Sequence, residues 1–84
     1  MKSRKIYNRI MVLRNERGMS RVELAKEIGV NYQTIGYLER EEYNPSLDLA
    51  FRIAEVFDVP VDAVFSSKPF PSLADLLRQR SKEN

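Results

Sequence analysis

Few side chains in this 84-residue chain are equipped for catalysis. Paired carboxylates, the raw material of general acid–base work, occur at Glu41-Glu42 and at Asp58/Asp62. The first pair falls in a loop and the second around a short helix, and neither comes with a pocket signal. There is no His and no Cys. Their absence removes imidazole acid–base chemistry, thiolate nucleophiles, disulfides and the two commonest zinc ligands together. A chain of about one small domain also rarely encloses a substrate pocket and its supporting shell. The expectation is therefore a binding module, not an enzyme, with no catalytic residue, cofactor or metal.

The remaining chemistry is charge. Fourteen Lys and Arg against twelve Asp and Glu give a net charge of +2, which favours no partner. Along the chain, however, the charge is divided. Residues 1–21 carry Lys2, Arg4, Lys5, Arg9, Arg14, Arg17 and Arg21 against Glu16 alone, a balance of +6. Residues 22–65 come to −6 and residues 66–84 to +2. A phosphate senses the local field, so a basic segment on an acidic body can attract a polyanion despite a bland total. The longest aliphatic run, Ile10-Met11-Val12-Leu13, is far too short for a membrane span or a signal core. A soluble, cytoplasmic protein with no membrane partner is expected.

The elements that must position these groups are helical almost throughout. Ile10 and Leu13, with Ile6 before them, mark one face of a first helix that Gly18 ends. Ser20 followed by Glu23 is a capping box, opening a helix over Arg21–Ile28 with Leu24, Ala25 and Ile28 inward. Asn31 caps a third helix from Tyr32 to about Arg40, with Ile35 and Leu38 inward. Ser46 caps a fourth over Leu47–Phe57, with Leu47, Ala50, Phe51, Ala54 and Phe57 inward. Pro60 starts a short fifth helix through Phe65. The fold class is all-α, a five-helix domain over residues 1–66 followed by a C-terminal extension over 67–84. In the extension, Ser72 and Asp75 form a second capping box ahead of the apolar stripe Leu73, Leu76 and Leu77. A lone helix of that length is marginal unless it packs on something.

Residues 21–40 form a helix-turn-helix, whose second helix projects its N-terminal side chains outward. Ala25 must be small where the helices cross. Gly29 takes a left-handed turn that costs a residue with a Cβ about 1–2 kcal/mol. Val30, Ile35 and Leu38 fill the angle between the helices.

On these residues the stretch Asn8–Phe65 resembles the lambda-repressor-like helix-turn-helix family, the Cro/C1-type or XRE-type regulators. The matching elements are Leu13-Arg14, Gly18-Met19-Ser20, Glu23-Leu24-Ala25, Gly29-Val30, Gln33-Thr34-Ile35, Leu38-Glu39 and Tyr43-Asn44-Pro45-Ser46. Among members it looks most like short stand-alone repressors of the cytolysin-repressor type. The resemblance implies a transcriptional regulator, a repressor, binding a palindromic operator in double-stranded DNA as a homodimer with its third helix in the major groove. It assigns base contacts to Tyr32, Gln33, Thr34 and Tyr37, where Gln33 can bond adenine N6 and N7 bidentately. It assigns backbone contacts to Ser20, Arg21, Asn31, Arg40, Tyr43 and Asn44. Arg14 and Glu39 match a structural ion pair locking the first helix to the third. Arg21 stands where relatives usually have Gln, and Arg can also bind phosphate at a helix N-terminus.

Two departures from the family pattern bear on affinity. Gly36 removes a side chain from the recognition helix. Glu41 and Glu42 stand where relatives commonly have Gly and Lys beside a phosphate, so weaker binding per monomer is expected. Phe65, Phe70, Leu73, Leu76 and Leu77 are more apolar groups than a finished five-helix core needs. They are expected to cover a partner subunit, with Ile6-Tyr7 adding a small β element at the dimer interface, the alternative being that they fold back on their own domain. The alternatives are an antitoxin that uses this tail against a protein partner while regulating its own promoter, and a helix-turn-helix module used for protein interaction alone.

Overall fold

A computed structural model describes residues 4–83, with side chains through residue 78. Short β1 (Tyr7–Asn8) leads into α1 (Ile10–Glu16), followed by α2 (Arg21–Ile28), α3 (Tyr32–Glu39) and α4 (Leu47–Phe57). A single turn, α5 (Val61–Val64), runs into β2 (Phe65–Ser66), and α6 (Leu73–Glu83) closes the chain.

The helix boundaries follow the local chemistry. Ser20 Oγ accepts from the Glu23 N–H at 3.0 Å while Glu23 Oε1 accepts from the Ser20 N–H at 3.0 Å, completing the capping box of α2. These bonds to Ser20 hold the Glu23 carboxyl below the usual carboxylate range. Their contribution to stability is therefore present at neutral pH and is lost as pH falls through the folded-state value. Gly29 ends α2 with φ 74°, in the left-handed region a Cβ would strain. Asn31 Oδ1 accepts from the Gln33 N–H to open α3, and Ser46 Oγ accepts from the Leu49 N–H to open α4. Ser72 and Asp75 form the second capping box, opening α6.

The five-helix core gathers Ile10, Leu24, Ala25, Ile28, Ile35, Leu38, Leu49, Ile53, Ala54, Phe57 and Val64. Helix α2 lies at its centre, packed on both α3 and α4. Two basic side chains tie the helices together by donating to carbonyls at helix C-termini. Arg17 donates to the Phe57 carbonyl, stacking on the Phe57 ring 5.1 Å away, and Arg52 donates to the Ile28 carbonyl at 3.1 Å. Both cations sit where the helix dipole is negative.

Leu47 and Phe51 point outward, 72% and 46% exposed, while Leu49 and Ile53 take the inward positions of α4. Asp48, Arg52 and Glu55 mark the outer side of α4, and Leu47 and Phe51 lie toward one edge of the wide apolar arc opposite, whose centre at Ala50, Ile53 and Phe57 packs against α2 and α5. Ile6 lies ahead of α1 rather than on its face. The β element exists but pairs within the chain: Tyr7 with Ser66 and Asn8 with Phe65, antiparallel. Phe65, expected at a subunit interface, is thereby packed against its own core.

Helix α6 makes no extensive packing with the other elements. The radius of gyration is 14.2 Å, against about 12 Å for a compact chain of this length.

Candidate nucleic-acid interface

The inward face of α3 is spent on the core, with Ile35 fully buried and Leu38 nearly so. That fixes which side chains face away. Tyr32 and Tyr37 are about half exposed, Gln33 is exposed and Thr34 is half-buried. An outward groove of about 260 Å³ is lined by Arg21, Tyr32, Gln33, Gly36, Tyr37 and Arg40. Five of these carry hydrogen-bond donors, and two are cations. Three of the four expected base-contacting residues line this groove together with two of the expected backbone-contacting ones. Thr34 does not line it.

What holds α3 at its angle is a buried carboxylate. The Glu39 side chain has no exposure, and both its oxygens are used. Arg14 donates from Nε to Oε2 at 2.8 Å and from Nη2 to Oε1 at 3.4 Å, while its Nη1 reaches the Met19 carbonyl at 3.0 Å. Arg21 Nε also donates to Glu39 Oε1, at 2.8 Å. The expected Arg14–Glu39 pair is thus a triad joining α1, α2 and α3. Arg21 braces the recognition helix where a Gln is usual, and its side chain stays 42% exposed at the groove edge. A buried carboxylate is tolerated only when paired and hydrogen-bonded in this way.

Gly36 explains the position of Arg40. A Cβ at Gly36 would lie 3.2 Å from Arg40 Nη1, so the guanidinium folds back over the glycine. It sits 5.2 Å from the Tyr37 ring centroid and donates from Nε to Glu42 Oε2 at 3.2 Å. Arg40 therefore belongs to the outer face of α3 rather than to the loop beyond it.

The two acidic residues after α3 do different things. Glu42 remains about half exposed and holds Arg40. Glu41 adopts φ 62°, the left-handed conformation that makes glycine common there. Its carboxylate turns back to the N-terminal strand instead of outward, against expectation. Oε2 accepts from the Asn8 N–H at 3.3 Å, and Oε1 lies 3.6 Å from Lys5 Nζ. Beside it, Asn8 donates to the Leu38 carbonyl at 2.7 Å and Asn44 donates to the Arg4 carbonyl at 3.0 Å. Arg4, Lys5, Glu41, Glu42, Tyr43 and Asn44 line an open cleft of about 600 Å³ at the end of α3.

Other expected residues are placed elsewhere. The side-chain oxygens of Ser20 and Asn31 serve as helix caps. Phe70 is half-buried, with the Arg9 guanidinium 4.2 Å from its ring centroid. Leu73, Leu76 and Leu77 are exposed on α6. Lys2 lies outside the described residues. The parts played by Asn8, Arg17 and Arg52 carried no sequence signal beyond residue type, because each bonds a backbone carbonyl distant in the chain. Among the described residues no cluster of side chains suits a metal ion, and no helix is long and apolar enough to cross a membrane.

The helix-turn-helix family model matches residues 10–64, spanning α1 through α5. The chain belongs to this family, in its Cro/C1-type (XRE) branch of transcriptional regulators, and is not an enzyme. It is 47% identical over 57 residues to an uncharacterised HTH-type transcriptional regulator of Archaeoglobus fulgidus, covering 68% of this chain and 81% of that one. An HTH-type regulator of Bacillus subtilis is 36% identical over 58 residues, covering 69% and 88%. The immunity repressor of Bacillus phage phi105 is 32% identical over 59 residues, covering 70% and 41%. A crystal structure from Bacteroides fragilis, described as a candidate DNA-binding protein, superposes with a TM-score of 0.67 at 28% identity, covering 73% of this chain and 98% of that one.

Proposed function

We propose that this protein is a sequence-specific repressor that binds a palindromic operator as a homodimer, with α3 in the major groove. The observation that carries this reading is the outward groove of α3, where Gln33, Tyr32 and Tyr37 stand between the cations Arg21 and Arg40. An amide and phenol hydroxyls suit base edges, and flanking guanidiniums suit the phosphates on either side of a groove. Thr34, half-buried beside them, adds a hydroxyl for a phosphate or a methyl for thymine. The similarity to a phage immunity repressor supports repression over activation. Dimerisation is supported by α6, where Leu73 and Leu76 are exposed. An HTH dimer reads two half-sites about one helical turn apart.

Selection from random DNA, with the mass of the recovered complex, tests this directly. A two-fold site bound by two chains is expected. A Gln33→Ala/Tyr37→Ala double variant should bind that site at least tenfold more weakly at matched salt, which corresponds to losing about one good base contact. Binding equal to the parent would refute the assignment of α3.

A further inference from the structure

The cleft at the end of α3 holds donors and acceptors together, but its two carboxylates are already engaged. Glu42 is paired with Arg40, and Glu41 uses one oxygen for the Asn8 N–H and the other for Lys5. Arg4 is exposed and has no ion-pair partner among the described residues. Its main chain is fixed nonetheless, because Asn44 donates to the Arg4 carbonyl at 3.0 Å. The half-exposed Tyr43 lines the same cleft. Below it, Asn8 bonds the last turn of α3 through Leu38, and β1 is paired with β2. The stretch Arg4 to Asn8 is thus held at three residues, Arg4, Lys5 and Asn8, to the segment that ends the recognition helix.

The geometry points to a second anion-binding site: Glu41 and Asn44 clasp the N-terminal arm so that Arg4, with the Tyr43 hydroxyl, grips a DNA backbone phosphate beside the groove read by α3. Lys5 steadies the clasp through Glu41. Glu41 is a positioning residue here, acting through the arm. This inference rests on the operator-binding reading and deepens it.

The sign of one substitution decides the matter. Removing a carboxylate near a phosphate strengthens binding if that carboxylate merely repels DNA, and weakens binding if it holds a cation in place. Glu41→Gly is the suitable variant, since glycine accepts the left-handed backbone at φ 62° without a Cβ and the fold is kept. Binding to the selected operator should weaken about fivefold near 0.1 M salt, and the slope of log affinity against log salt should flatten by about one. Arg4→Ala should produce a similar loss in the parent and a clearly smaller one on top of Glu41→Gly, because the Asn44 bond alone then positions Arg4. Tighter binding by Glu41→Gly, or an equal Arg4→Ala effect in both backgrounds, would overturn the clasp. Gln33→Ala separates the two levels of the argument. If it weakens binding while Glu41→Gly does not, the clasp alone fails; if the parent selects no sequence, the operator reading fails and takes the clasp with it.

Discussion

At the scale of single residues, Glu39 is the side chain on which the helix-turn-helix depends most. Its carboxylate is fully enclosed and accepts from two arginines on two different helices. These arginines are not equivalent. The Arg14 side chain is 12% exposed and makes three hydrogen bonds, whereas that of Arg21 is 42% exposed and makes one to the same carboxylate. Breaking a buried pair from one side leaves the other charge uncompensated, which costs about 3–5 kcal/mol, while a pair open to water is worth under about 1 kcal/mol. Glu39→Ala should therefore lower unfolding stability by about 3 kcal/mol, and Arg21→Ala by less than about 1 kcal/mol, in urea titrations. The same inequality separates stability from binding. Arg21→Ala should leave a folded protein with weakened DNA affinity, because it also removes a cation from the groove. Equal destabilisation by the two variants would show that Arg21 is a structural brace and little else.

At the scale of elements, α3 is built around a glycine that a helix interior ordinarily disfavours. Gly36 costs about 0.5–1 kcal/mol relative to alanine, and its Cβ position is occupied by the tip of Arg40 at 3.2 Å. A guanidinium at the end of a flexible side chain can move, so Gly36→Ala should raise stability by about 0.5–1 kcal/mol in a urea titration. It should also displace Arg40 from the groove and weaken operator binding, a gain in one property against a loss in the other. Stability and affinity moving together would mean that Arg40 plays no part in recognition. This element also shows what was legible in advance. Caps at Ser20, Asn31, Ser46 and Ser72 announce their helices because they bond backbone groups two or three residues away. The inward face of α3 was legible because Ile35 and Leu38 are the only aliphatic residues of the helix. The fine rotation of α4 was not, since its apolar arc is wide enough for either edge to face outward and tertiary packing makes the choice. Nor was the direction of Glu41: residue type announces a charge, and only the left-handed turn after α3 points that charge at the strand.

At the scale of the whole molecule, the net charge of +2 is a poor guide because many of its charges face one another. Arg14 and Arg21 share Glu39, Lys5 faces Glu41, Arg40 holds Glu42, Arg52 holds Asp48, and Arg17 bonds a helix terminus. The outward field of one copy is accordingly modest, and a pair of copies bridging two half-sites would combine two modest grips into one selective one. In the proposed dimer the extension would join them. Phe65 and Phe70 are used within the chain, the first against the core and the second under Arg9, and so they anchor the base of the extension to the domain. Leu73 and Leu76 are then left 72% and 48% exposed on a helix too short to be stable by itself. A second copy of α6 would bury both leucines and supply the packing the helix lacks. Leu73→Glu/Leu76→Glu should therefore shift the protein from dimer to monomer in sedimentation equilibrium. The melting of α1 to α5 should be nearly unchanged, since neither leucine belongs to the core. Affinity for the full two-fold operator should fall by at least tenfold, while affinity for an isolated half-site stays within about twofold of the parent. Loss of half-site binding as well would place α6 in the fold of the monomer, and an unchanged sedimentation profile would move the dimer contact to another surface.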